Sequence, residues 1–360
     1  MQLSDSFNLR PPRHPALDGA RGFAVMAMVL GHTLDALLAP ATREHPWVQY
    51  YWSLRGITAP LFLLVSGWAV VAALDNRPGA AKSTYGRRVR RALLLLFLGY
   101  LLHWPGWEAL HAQGWSQALR VQFFSFDALQ CIGVSLLLGA TVLALTPGTW
   151  SRAAALAALA VGIPLGSALL WGMSLGMPTV LHHALGAQGS PFPLFPWAGF
   201  FFIGALAAHL LRLLRPGWPQ GVMLALLGGG LLGLTHLFTE EWSPTSVWVV
   251  VLRSGQGLLV LAAMNLVPQW LARLFSPLGR LSLGVYVLHL PVVYGWAGTP
   301  GLIERVGPTL GLDLALLVGV GLLAVTYFIS RLGLWLRGLS VPWRVGSTTF
   351  SPGLGSGQRV

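Results

Sequence analysis

Charge is scarce in this chain. Only 9% of its 360 residues are Asp, Glu, Lys or Arg, against about a quarter in soluble domains. Acid is scarcer still, with 11 Asp and Glu against 23 Lys and Arg and a formal net charge of +12. Cysteine is nearly absent. The single Cys131 excludes an internal disulfide and any cysteine-based metal site, and no metal is expected. No internal repeat stands out, which weighs against a transporter built from inverted halves. What remains is apolar: 54% of the residues are hydrophobic, in long runs. That pattern belongs to a polytopic membrane protein. The cations are therefore no sign of a nucleic-acid partner. They sit in short loops between apolar runs, where they set orientation in the bilayer.

The apolar runs predict an all-α fold of about ten transmembrane helices, at roughly 17–38, 53–74, 89–104, 128–146, 153–172, 197–214, 221–238, 246–267, 277–297 and 310–336. Residues 1–340 read as one transmembrane domain, and 341–360, rich in Gly, Ser and Pro, as a flexible tail. Ten spans put both termini on one side. The loops on that side, 75–91 above all, hold nearly all the Lys and Arg, so both termini are expected in the cytoplasm. Arg10 and Arg13 precede the first apolar run as in a signal peptide. That run is longer than a signal's apolar region and carries ionisable residues, so it reads as a retained helix. The expected location is a bacterial cytoplasmic membrane.

The first helix is where the chemistry concentrates. Asp18, Arg21 and His32 lie within it, and Asp35 follows on the next turn. An ionisable group inside a bilayer helix costs about 2.5–3.5 kcal/mol even on lenient insertion scales, so a mere anchor would avoid it. Arg21 and His32 are three turns apart, on one face and about 16 Å apart along the axis. With Arg21 at the cytoplasmic rim, His32 falls near mid-depth. Arg21 also has a reading as a snorkelling anchor, but a histidine is too short to snorkel. A neutral imidazole at that depth suits general-base work.

Further candidates follow along the chain. Arg87, Arg88, Arg90 and Arg91 open the third helix. They read either as topology anchors or as a phosphate site, since guanidinium forks bind phosphate bidentately and a helix N-terminus favours anions. Asp127 and Gln130 open the fourth helix on the outer side; Asp127 has an alternative as a plain N-cap. His103 ends the third helix. His289 lies near mid-depth in the ninth, one turn after Tyr286, and is equally readable as a core histidine bonded to a backbone carbonyl.

The run Leu17-Asp18-Gly19-Ala20-Arg21-Gly22, with His32 separated from Arg21 by ten residues, resembles the transmembrane acyltransferase superfamily. That group includes acyltransferase-3 proteins and proteins similar to heparan-α-glucosaminide N-acetyltransferase. Ala59-Pro60-Leu61-Phe62, Gly99 to His103, Asp127 to Gly133, Phe195-Pro196-Trp197 and Gly279 to His289 continue the resemblance in order. Cys131 stands where the commoner form of the family has Arg after Gln.

The resemblance implies acyl transfer from cytoplasmic acyl-CoA, acetyl-CoA above all, to a hydroxyl or amino group of an extracytoplasmic glycan or amino sugar. His32 would be the catalytic histidine, either deprotonating the acceptor or carrying the acyl group transiently, with Asp18 and Arg21 as its motif partners. Arg21, Arg87, Arg88, Arg90 and Arg91 would hold CoA. Asp35, Asp127, Gln130, His103 and His289 would meet the acceptor. The lipid bilayer is the one other expected partner besides a second copy of the chain. Two rivals remain open at this level: a flippase for an anionic lipid or sugar, and a haem protein with His32 and His289 as axial ligands.

Overall fold

A computed structural model describes residues 14–74, 80–186, 190–237 and 243–340, the side chains of 53–55, 80–83 and 337–340 excepted. The expected tail at 341–360, the polar lead at 1–13, Asp75, Arg77, Glu240 and Glu241 lie outside the described residues. The chain runs as α1 (Pro15–Leu37), α2 (Pro40–Arg43), α3 (Pro46–Leu54), a 3₁₀ turn (Arg55–Ile57), α4 (Thr58–Ala72) and α5 (Ala80–Leu102). Next come α6 (Trp107–Gln113), α7 (Gln117–Phe123), α8 (Ala128–Leu145), α9 (Thr149–Ser174) and α10 (Thr179–Leu185). The remainder is α11 (Leu194–Leu210), α12 (Trp218–Thr235), α13 (Val247–Leu266), α14 (Gln269–Arg280), α15 (Ser282–Tyr294), α16 (Leu302–Arg305) and α17 (Leu312–Ser340). The described residues are all-helical, without a named strand.

The expectation of about ten transmembrane helices is met in part. Among the described residues, four helices are long and apolar enough to cross a membrane, or six if each of two bent pairs counts as one span, and three shorter apolar helices stand beside them. Breakers account for part of the difference. Pro164 sits inside α9, and the helix bends by 58° there, since proline removes a hydrogen bond and crowds the preceding turn. After α5, Pro105 and Gly106 stop the helix, and the chain re-enters α6 at 62°. The ninth expected span is two helices, α14 and α15, broken between Arg280 and Ser282. The second is trimmed by the 3₁₀ turn to the 15 residues of α4.

Two tight seams hold the site-bearing helices. α1 runs along α14, and α4 runs along α11. Gly22 faces the Phe275 backbone, and Gly279 faces that of Asp18, so closely that a Cβ on either would overlap a carbonyl oxygen. Gly67 and Gly204 do the same between α4 and α11. Small residues at such seams let backbones approach where lipid supplies no hydrophobic drive. Around them lies a buried cluster that includes Leu61, Leu64, Phe200, Phe201 and Phe202. Leu93 and Phe97 of α5, Leu169 of α9 and Leu317 and Phe328 of α17 point outward, an apolar exterior that suits lipid contact. The protein is an integral membrane protein.

Candidate active site

One cavity of about 1000 Å³ runs between α1, α4, α5, α8 and α15. One end is basic. Arg21, Arg87, Arg88 and Arg91 all line it, and Arg91 is near enough to Arg21 to repel it. The arginines expected to open the third helix stand from the third turn of α5 onward, because Ala80 to Leu102 holds no proline to delay the helix. Thr84, Arg87, Arg88, Arg91 and Leu95 share the lining face, as helical spacing requires. Arg90 is no part of the wall, so the structure does not bring it together with the other three.

Arg88 is the most constrained of the four. Its side chain is buried, and Nη2 donates to the Val70 carbonyl at 2.9 Å. Nη1 is also buried and has no hydrogen-bond partner among the described residues. A buried guanidinium with an unspent donor is costly; Nη1 is closed off from the cavity, and a ligand would reach it only after a shift of the side chain. The start of α15 at Ser282 lines the same cavity. Asp18 lies behind Arg21. Its Oδ1 accepts from Arg21 Nη1 at 3.3 Å, and its Oδ2 stands 3.6 Å from Arg280 Nε. Asp18 itself is off the cavity wall, so it orients Arg21 rather than facing a substrate.

Eleven residues up α1, His32 lines the cavity. Its Nδ1 lies 3.0 Å from Nε2 of His289, and the His289 Nδ1 lies 2.9 Å from the Val285 carbonyl oxygen. The Tyr294 ring, also on the wall, meets His32 edge-on at 5.6 Å. His289 is fully buried and off the wall, so it does not line the tunnel as the sequence reading had it. The haem alternative fits poorly, because axial histidines stand on opposite faces of a macrocycle, whereas these two nitrogens are bonded to each other.

The carboxylate on the cavity wall is Asp127. Its Oδ1 accepts from the Ala128 amide at 2.7 Å, and Oδ2 lies 3.6 Å from His103 Nε2. The Tyr286 side chain hydrogen-bonds the same carboxylate. Asp127, His103 and Tyr286 all line the cavity. Gln130 does not. Its Oε1 accepts from the Asp127 amide at 3.2 Å and its Nε2 donates to the Ser125 carbonyl at 3.2 Å, which completes a capping box at the start of α8. Its side chain is fully buried, so the structure does not place Gln130 with the expected acceptor contacts. Asp35 also lies off the wall; its backbone carbonyl accepts from Arg43 Nη2 at 2.7 Å, close to where α1 ends.

The cavity thus brings together Arg21, Arg87, Arg88 and Arg91 at one end and His32, His103 and Asp127 beyond it, and leaves Asp18, Asp35, Arg90, Gln130 and His289 outside its wall. Tyr286 and Tyr294 are the side chains that sequence reasoning passed over. Tyr286 could have been flagged as the residue one turn from His289, but nothing local marks Tyr294. The arrangement offers an anion cradle, an imidazole and a carboxylate in one cavity.

None of the curated proteins compared with the chain matches it. A family model described as an acyltransferase domain, that of the acyltransferase-3 family, matches residues 14–331. This stretch takes in α1 to most of α17 and every residue of the cavity wall, and on that match the chain belongs to the acyltransferase-3 family.

Proposed function

We propose that this membrane acyltransferase takes its acyl group, acetyl in the simplest case, from acyl-CoA supplied on the cytoplasmic side. The acceptor is a hydroxyl or amino group of an extracytoplasmic glycan or amino sugar, in a bacterial cytoplasmic membrane with both termini inside. The observation that carries this reading is the single cavity joining four arginines to His32. CoA is a polyanion with a reactive thioester at the end of a long flexible arm. Phosphates held by Arg87, Arg88 and Arg91 and by Arg21 would leave that arm pointing along α1. The rise from Arg21 to His32 is about 16 Å, a span the pantetheine arm can cover.

In the transfer step His32 takes the proton from the acceptor's hydroxyl or amine as its oxygen or nitrogen attacks the thioester carbonyl carbon. The tetrahedral intermediate collapses with cleavage of the carbon–sulfur bond. The imidazolium returns the proton to the departing CoA thiolate, so the thiol leaves neutral. Asp127, flanked by His103 and Tyr286, would bind a sugar hydroxyl or ammonium of the acceptor. Its negative charge would also keep CoA phosphates from sliding past the base.

The test uses purified protein in proteoliposomes with acetyl-CoA and a panel of amino sugars and glycans. CoA release that depends on acceptor supports the reading. A flippase would move an anionic lipid or sugar with no acceptor-dependent CoA release, and that result would replace the acyl-transfer reading.

A further inference from the structure

His289 cannot touch a substrate in the cavity, being fully buried and off its wall. Its ring is nonetheless held at both nitrogens. The Val285 carbonyl oxygen 2.9 Å from Nδ1 has no hydrogen to give, so Nδ1 of His289 carries a proton. A second proton on Nε2 would create a fully buried cation in the membrane interior. The nearest carboxylate, Asp127, is already engaged by Tyr286, the Ala128 amide and His103. A buried charge without a dedicated partner is costly, so the ring is neutral and Nε2 holds its lone pair. The contact to His32 at 3.0 Å is then a hydrogen bond only if His32 Nδ1 is the donor. Ring centroids 5.2 Å apart and planes 17° apart agree. That separation is close to the nitrogen–nitrogen distance plus two ring radii, so the rings meet edge to edge in one plane rather than face to face.

We propose that His289 is a positioning residue that fixes the tautomer of His32. With Nδ1–H pointed at His289, the lone pair of His32 must lie on Nε2. This is the role that a carboxylate or carbonyl fills beside many working histidines, filled here by a second, neutral imidazole anchored one helical turn back on its own backbone. His32 keeps its Nδ1–H throughout, and no proton passes to His289. The base therefore cycles only through Nε2. The inference rests on the acyl-transfer reading of His32 for its consequence, but the tautomer itself can be measured without any turnover.

The experiment compares wild type with His289→Leu, His289→Asn and His289→Gln. Glutamine sets its terminal amide where Nε2 stood and can still accept from His32. Asparagine reaches only the Nδ1 position, and leucine neither accepts nor donates. Nitrogen-15 NMR of histidine-labelled protein in nanodiscs, with the His32 signals assigned by their loss in His32→Ala, reads the tautomer directly. Wild type and His289→Gln should show His32 protonated at Nδ1. His289→Leu and His289→Asn should show the Nε2–H form that free histidine prefers. With acetyl-CoA as donor and glucosamine as acceptor, kcat should fall by about 10–100-fold in the Leu and Asn variants, the scale seen when the partner that orients a histidine is removed. KM for acetyl-CoA should hold, and the Gln variant should recover most of kcat. An Nε2–H tautomer in wild type, or an unchanged Nδ1–H tautomer in His289→Leu, overturns the proposal. An absence of turnover in wild type alongside the expected tautomers would count against the acyl-transfer reading and leave the positioning role standing.

Discussion

Replacing Arg88 with glutamine removes one charge from the basic end of the cavity while keeping a polar side chain beside Val70. The consequence follows from the surroundings of that guanidinium. Arg88 is buried, has an unspent Nη1 donor, and feels repulsion from Arg87 and Arg152. An anion in the cavity would relieve the repulsion and, by drawing the guanidinium toward itself, would give it a charged hydrogen-bond partner. A hydrogen bond to a charged group contributes about 1.5–3 kcal/mol, and each 1.4 kcal/mol is tenfold in affinity. CoA should therefore bind Arg88→Gln about 10–100-fold more weakly.

Calorimetry in nanodiscs reads the affinity, and thermal melting reads the same quantity as stabilisation. At CoA equal to about 100 times the wild-type Kd the ligand adds about 2.7 kcal/mol, whereas a tenfold weaker variant keeps about 1.4 kcal/mol. Arg90→Ala is the control, because Arg90 is exposed and off the cavity wall; its CoA affinity should match wild type. Equal losses in the two variants would mean that general basicity, not the cavity, attracts CoA. No loss in Arg88→Gln would return the guanidinium to a structural role under Val70.

Three other outcomes are expected. His32→Ala should lower acetyl transfer by about 10²–10⁴-fold, the usual range for a lost general base, with CoA affinity retained in calorimetry; wild-type turnover by a folded variant would sink the base assignment. Gln130→Met should lower the melting temperature by the equivalent of about 1 kcal/mol, since it breaks the capping box, yet leave acceptor KM unchanged in the transfer assay. Gly67→Leu should prevent stable folding, because a side chain there would overlap the Phe201 carbonyl; a monodisperse, fully active Gly67→Leu protein would contradict the packing of α4 on α11.

Much of the site was legible in α1 alone, because Asp18, Arg21 and His32 violate an apolar pattern at helical spacing and their cost in a bilayer demands a reason. The arginine cluster was legible as a group but not by member. Helical phase separates Arg90 from Arg87, Arg88 and Arg91, and that phase becomes usable only once the helix is known to start near Ala80. Placing the helix start at about residue 89 concealed it. Gln130 shows the opposite case. The pattern of Asp127 followed three residues later by Gln130 carries a capping signature, and the structure shows that capping box in place. The pairing of His32 with His289 had no local signal, because 257 residues separate the partners in sequence. The all-helical, membrane-embedded character was legible from hydropathy, but continuity was not: Pro164 and Pro105 were visible in the sequence, and their effect depends on whether neighbouring helices let the chain turn.

The broken helices and the site are connected. Pro105 and Gly106 end α5 at a sharp bend, which leaves His103 at the helix terminus facing Asp127 instead of continuing along a straight span. The break between α14 and α15 has a similar effect on the other side of the cavity. It lets α14 lie along α1, with Arg280 reaching Asp18, while α15 begins a new axis that carries Tyr286, His289 and Tyr294 past His32. An unbroken helix could follow only one of those courses. Asp18 then couples the two segments to Arg21, so the arginine at the basic end is held by the same junction that brings His289 to His32. Loosening that junction should disturb both ends of the cavity, whereas changes within α5 should disturb the arginines alone. The two ends of the cavity are thus positioned by different joints but share one: the seam of α1 with the α14–α15 corner.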